Sequence, residues 1–373
     1  MSLKNETREA FQSTKSFYRE YTEGMTRQRL GRDFHADSTR LIKLYKEAVG
    51  EEELAEEGHK VGPHIKVMRL FNALSKRLNP TRRLIFGGSV FGFILHYFST
   101  GFLAMALLPL SFAGILMVLL LELLEKIDVK KEIDLAREIQ LSLLPPSEIK
   151  EDSMNIASFA NTAKEVGGDY VDVIKTGDGT YVIIADVSGK GLTAALYMVR
   201  IQAMVHLIIN QSKSSPKELL LELNNHIKSG KRDKTFVTAC VAYFPNGKDH
   251  FVFTRAGHNA PILFNKEKDT TLTLRTPGLA LGMTNSSQLE HYLKETNIEF
   301  KAGDSLVLYT DGLTEARDIS GREYGISRLQ SLIDIYGELD SKTLIGKIQT
   351  SLETFIGEER QIDDITFTCI HKG

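Results

Sequence analysis

Three rhythms of apolar and polar positions succeed one another along the chain. From about Met154 onward, apolar residues alternate or gather in short runs, as in half-buried and fully buried β-strands. These runs predict strands at 155–160, 170–175, 181–186, 236–244, 250–256, 261–264, 270–274, 297–300, 305–310 and 365–370. Asp178-Gly179 and Asn246-Gly247 read as hairpin turns, because such turns need residues that tolerate positive φ. Helical spacing is read at 192–211, 216–229, 324–336 and 341–356. Successive hairpins predict antiparallel sheets, and helices arriving in pairs predict covers on their outer faces. The expected fold class is therefore α+β, with a four-layer α-β-β-α sandwich over residues 147–373.

The second rhythm is unbroken apolarity. Residues 84–121 contain no Asp, Glu, Lys or Arg. A bilayer-spanning helix needs about 20 apolar residues, so this segment predicts a transmembrane helical hairpin turning at Ser99-Thr100-Gly101. Arg82 and Arg83 precede it and Lys126 follows it, which places both flanking regions in the cytoplasm. The competing reading is a buried helical pair in a cytoplasmic protein. His96 and Pro109 interrupt the two spans.

The third rhythm is polar and helical. Residues 1–83 read as a helical region of unknown role, with sparse apolar positions such as Phe11, Phe17 and Leu41 and an acidic cluster from Glu51 to Glu57. Between Gly58 and Arg83 there are basic residues and no acids, with Val67, Leu70, Phe71, Leu74 and Leu78 at helical spacing. That face suits either an anionic lipid surface or its own domain. Residues 122–146 form a helical connector that Pro145-Pro146 ends. Within it Ile133, Ala136, Gln140 and Leu143 repeat like a short coiled-coil seam, suited to a homodimer contact or to packing on the chain's own domain.

Composition narrows the picture. A formal net charge of −2 gives no sign of nucleic-acid binding. Cys240 and Cys369 lie in apolar runs, as buried thiols do, and no disulfide framework is expected. The opening MSLKNETREAFQ has no apolar signal region, so no cleaved secretory signal is expected.

The chemistry is concentrated in aspartates at strand ends. Asp169 follows Gly167-Gly168, Asp186 stands in IADVSGKG, Asp311 in LYTDG, and Asp363-Asp364 precede the last strand. Carboxylates brought to one place repel unless a cation lies between them, and oxygen ligands suit Mg²⁺ or Mn²⁺. The residues thus point to a metal-assisted hydrolase.

The ordered motifs AREIQLSLLPP, KEVGGDYVDV, IADVSGKGLTAAL, TFVTACVAYF, RAGHNAPILF, LVLYTDGLTEARD and DDITFTCI resemble the PPM-type metal-dependent protein serine/threonine phosphatases, in their bacterial SpoIIE/RsbU branch. The resemblance covers about residues 132–371. It implies two divalent cations, Mn²⁺ or Mg²⁺, sharing a bridging water, with Asp169, Asp186, Asp311, Asp363 and the Val187 carbonyl as ligands. Asp186 is the candidate bridge, and Asp364 an outer or alternate ligand. It further implies a phosphorylated protein substrate, an anti-sigma-factor antagonist, in bacterial signal transduction. A catalytically inactive membrane-anchored scaffold is the alternative.

Several neighbours carry two readings. Asp172 is expected to be structural. Gly189 and Gly191 suit a phosphate cradle or a tight turn, and Lys190 suits substrate phosphate or solvent. His258 suits a proton donor or a hydrogen-bonded turn residue, and Glu165 a water-orienting group or the surface. No arginine that could grip phosphate precedes Asp169 closely; Lys164 is the nearest basic residue.

Overall fold

In the computed structural model, residues 63–151, 153–211, 214–229 and 235–373 are described, with isolated positions between 31 and 42. The helical reading of residues 1–62 and the acidic cluster lie outside them. The chain divides into two compact units, 1–127 and 128–373.

In the first unit, α1 (Pro63–Arg77) is followed by α2 (Pro80–His96) and the start of α3 (Gly101–Ser142). Asn79 precedes α2 and Pro80 opens it, where the missing N–H costs nothing. At 17 residues α2 is about 25 Å long. The turn before α3 falls where expected, with Gly101 at φ +68°. The two helices meet through small residues. A Cβ on Gly92 would lie 2.7 Å from Ser111 Oγ, and one on Gly114 would collide with Ser89 Oγ. Ser89, Gly92 and Ser111 are buried, while Phe91, Phe98, Phe102, Met105, Leu110 and Phe112 are exposed. Arg82 pairs with Glu122 at 2.8 Å and also with Glu125. Helix α3 includes residues 122–142 of the expected connector, and Pro109 lies inside it.

The second unit holds two antiparallel sheets. One has the order β1 (Glu148–Glu151), β2 (Met154–Asn161), β11 (Ile365–Lys372), β10 (Ser305–Tyr309), β7 (Ile262–Asn265), β8 (Thr270–Thr273). The other has the order β3 (Asp169–Lys175), β4 (Gly179–Val187), β5 (Val237–Pro245), β6 (His250–Ala256), β9 (Thr296–Glu299). The helices are α4 (Leu192–Gln211), α5 (Pro216–Ser229), α6 (Ser286–Tyr292), α7 (Asp311–Thr314), α8 (Ile326–Tyr336) and α9 (Ser341–Ile356).

Period-two alternation sends each strand into two cores. Val182 and Ile184 of β4 join Phe251, Ile156, Leu306 and Ile370 in a core drawn from both sheets. Tyr181 and Ile183, one residue out of step, pack with Met198, Ile201 and Val205 of α4 and Leu219 and Leu223 of α5. On the other sheet Val307, Phe367 and Cys369 pack with Leu329 and Ile333 of α8 and Leu344 and Ile348 of α9. Both cysteines are free and buried, and burial pushes the Cys240 thiol up to about 12. Short β1, α6 and α7 were not expected from periodicity. The β1 sequence EIKE is polar and gains its order by pairing with β2.

Candidate active site

The aspartates are positioned by strand register. Asp169 and Asp186 are direct partners across the β3–β4 pair. Like charges opposite one another destabilise a sheet, so this placement asks for a compensating cation. Asp311 opens α7 immediately after β10, and Asp363 and Asp364 precede β11. β10 and β11 are neighbours in the other sheet, so both sheets contribute carboxylates. Thr310 connects them, its Oγ1 donating to Asp169 Oδ2 at 2.8 Å.

The electrostatics report crowding. Burial, then the charge of Asp186, holds the Asp169 carboxyl well above the usual carboxylate range. Asp186 is pushed up to about 7, first by burial and then by Asp311, Asp363 and Asp364. Burial and Asp363 also raise Asp311. Among the described residues, no three acidic, His or Cys side chains form a ready-made metal cage. The donor set nevertheless fits a hard divalent ion: several carboxylates disfavour ionisation together, and a cation relieves that cost. Gly168 adds room, since a Cβ there would lie 3.0 Å from the Val187 carbonyl oxygen. Asp169, Asp186, Asp311, Asp363 and the Val187 carbonyl are the groups that could hold such ions.

Asp363 and Asp364, adjacent in sequence, have different surroundings. Asp363 meets Lys190 Nζ at 2.7 Å. Asp364 accepts from the backbone N–H groups of Ala163 (2.8 Å) and Gly168 (2.7 Å). Its oxygens thereby tie the loop before Asp169 to the start of β11. Gly167 and Gly312 permit this approach, because a Cβ on either would strike Asp364.

Other expectations resolve individually. Asp172 accepts from Tyr170 Oη and Val173 N, and its Oδ2 lies 2.8 Å from His206 Nε2; it braces β3 against α4. Gly189 (φ +110°) and Gly191 (φ +77°) form the tight turn into α4. His258 is buried, with Nδ1 2.8 Å from Thr238 Oγ1. Burial drives its pKa down to about 3, so its ring favours the neutral form. Its burial and its contact with Thr238 favour the hydrogen-bonded structural reading over the proton-donor one. Glu165 and Lys164 are exposed.

Periodicity left two readings open for Gln140. Gln140, read as part of a helical seam, is turned toward its own domain. Its Nε2 donates to Gly167 O at 2.7 Å, and its Oε1 accepts from Gly167 N at 3.1 Å. Leu143 O likewise accepts from Gln202 Nε2 at 2.7 Å. Of the two readings of this face, packing on the chain's own domain is the one Gln140 follows, at a glycine two residues from Asp169. The signal lay in the motif AREIQ, where a polar residue interrupts an otherwise apolar inward face.

Comparison with solved structures defines the class. The second unit has the fold of PP2C-type phosphatase domains. The SiaA-PP2C domain of Pseudomonas aeruginosa superposes with TM-score 0.58 at 19% identity, over 67% of this chain and 99% of that one. The PP2C phosphatase domain of SpoIIE from Bacillus subtilis superposes with TM-score 0.52 at 15% identity, over 60% of this chain and 64% of that one. The family model for Stage II sporulation protein E (SpoIIE) matches residues 176–372, and the chain belongs to that family. In sequence it is 29% identical over 194 residues to the phosphoserine phosphatase RsbU of Bacillus subtilis, covering 52% of this chain and 56% of that one. The chain spans about half the length of the curated relatives it matches.

Proposed function

We propose that this protein is a metal-dependent protein serine/threonine phosphatase. The observation that carries the reading is the convergence of Asp169 and Asp186 from one sheet with Asp311 and Asp363 from the other, where burial and then the neighbouring carboxylates push Asp186 to about 7. Two divalent ions, Mn²⁺ or Mg²⁺, would supply Lewis acidity toward the phosphoryl oxygens and toward the attacking water. Asp169, Asp186, Asp311, Asp363 and the Val187 carbonyl would hold them, and Asp186 would face both. The chain's own contribution is alignment. Thr310 fixes the Asp169 carboxylate, Asp364 fixes the loop that carries Gly168, and Gln140 fixes Gly167. No side-chain nucleophile is required: both cysteines are buried, and His258 is neutral.

The substrate in this reading is a phosphoserine or phosphothreonine protein, an anti-sigma-factor antagonist. Support comes from the similarity to the phosphoserine phosphatases RsbU and RsbP. The three cores support a four-layer α-β-β-α arrangement of the catalytic unit. The exposed aromatic coat of α2 and α3 supports insertion of residues 84–121 in the cytoplasmic membrane, with both flanks in the cytoplasm. Leu135 and Ile139, exposed at helical spacing on α3, support a homodimer contact away from Gln140. One observation favours the alternative, an inactive scaffold: the Lys190 ammonium already pairs with Asp363.

Release of phosphate from a phosphoserine protein, with and without Mn²⁺, tests the reading. Metal-dependent turnover that falls on the order of a thousandfold in Asp186→Asn supports it. Metal-independent turnover, or none, overturns it. Deletion of residues 84–121 tests the anchor. The full chain should sediment with membranes and the deletion should not.

A further inference from the structure

A cleft of about 130 Å³ opens beside the carboxylate cluster, with Gly312 and Asp363 among its lining. Its walls are the apolar Ile356 and Ile365, and Arg317 and Arg360 also line it. The wall bearing Arg360 is fixed from below. Asn161 Nδ2 donates to Gln361 Oε1 at 2.9 Å, and Gln361 Nε2 donates to the carbonyls of Asn161 (2.9 Å) and Asp363 (2.8 Å). Lys190 adds a bond to Ile362 O at 3.2 Å. The cleft is thus shaped before any substrate arrives.

Its two guanidinium groups are not equivalent. Arg317 is paired with Glu323 at 3.1 Å. Arg360 is exposed and makes no ion pair among the described residues. Glu315, on the same cleft, and Asp363 present negative charge to anything entering. A peptide whose phosphoserine reaches Asp311 and Asp363 must lay neighbouring residues along this surface. Arg360 is the one group there that rewards an acidic neighbour, and a guanidinium matches a carboxylate in shape as well as charge.

We propose that Arg360 is a specificity residue that grips a carboxylate side chain close to the phosphoserine of the protein substrate. This inference rests on the phosphatase reading. An exposed charge-assisted contact on a preformed wall changes affinity by about three- to tenfold, and the effect falls on KM because the contact is made equally in ground and transition states.

The test uses the full chain with Mn²⁺ and phosphoserine peptides that differ only in a Glu, Gln or Lys placed in turn at each flanking position. At one position the Glu peptide should show a KM about three- to tenfold below the Gln peptide, with Lys the poorest. Arg360→Glu should reverse that order, and Arg360→Gln should abolish it, so a folding defect in one variant leaves the other to decide. No order among the peptides, an order that survives both substitutions, or a preference for Lys overturns the inference. p-Nitrophenyl phosphate run in parallel separates the two failures. If the wild-type chain hydrolyses neither this ester nor the peptides, the phosphatase reading has failed. Hydrolysis without peptide discrimination defeats the Arg360 assignment alone.

Discussion

The two units of this chain invert one another. In the helical pair α2–α3, the small residues Ser89, Gly92 and Ser111 are buried, and most of the largest side chains face outward, with Phe102 86% exposed. In residues 128–373, Phe251, Phe253, Phe300 and Phe367 are sealed inside. The same side chain is therefore an inward group in one unit and an outward group in the other. Water drives large apolar residues together, whereas the outward aromatics of α2 and α3 suit the proposed membrane insertion, since between helices in lipid that drive disappears and close backbone approach decides. Within residues 128–373 one region breaks its own rule: the strand ends gather carboxylates, with Asp169 buried, rather than phenyl rings. That exception marks the candidate site.

Three measurements sharpen the contrast, from the largest effect to the smallest. The first compares phenylalanines. Phe367→Ala should cost about 3–5 kcal/mol of unfolding free energy, because a cavity opens in a packed core. Phe102→Ala in detergent should cost less than about 0.5 kcal/mol. Denaturant titration of the two variants gives the comparison, and equal losses would remove the distinction between the units.

The second concerns Gln140, the buried amide that aligns Gly167. Gln140→Ala should weaken Mn²⁺ binding or turnover by about 10- to 100-fold, the usual effect of a group that orients a ligand rather than being one. Gln140→Glu keeps the acceptor but loses the donor to Gly167 O, and should fall between. Isothermal titration with Mn²⁺ reads the binding half, and unaltered affinity together with unaltered turnover would show that the contact is only structural.

The third is a pH effect on the metal-free protein. The folded pKa of Asp186 is about 7, raised from 3.8. The folded state therefore binds more protons than the unfolded one between those values. Stability is greatest below the unfolded pKa and is lost as pH rises through about 7. In chelator, the melting temperature should fall between pH 5 and pH 8. Asp186→Asn should flatten the profile, and a profile that rises with pH would contradict the carboxylate crowding.

Much of this was legible in the chain. Helices α4, α5 and α9 run where helical spacing placed them, and the strand signals fell within a residue or two of the observed ends. The aspartates were legible because each stands beside glycines at the end of an apolar run, a local pattern that needs no knowledge of the fold. Short elements were not. Helix α6 depends on Asn285, which accepts from Gln288 N, and such a cap leaves little trace in hydropathy.

Sequence by itself determined the periods, the uncharged segment and the types of residue at the strand ends, because these are set within a few neighbours along the chain. Tertiary structure alone decided which groups those residues meet. Gln140 lies 27 residues from Gly167, and Asp364 lies 196 from Gly168. Helical spacing could not tell which neighbour the Gln140 face would meet, and nothing in two adjacent aspartates says which will meet an ammonium and which two amides. Such pairings depend on strand register and sheet order, which bring distant backbone groups within hydrogen-bonding reach only after the cores have formed.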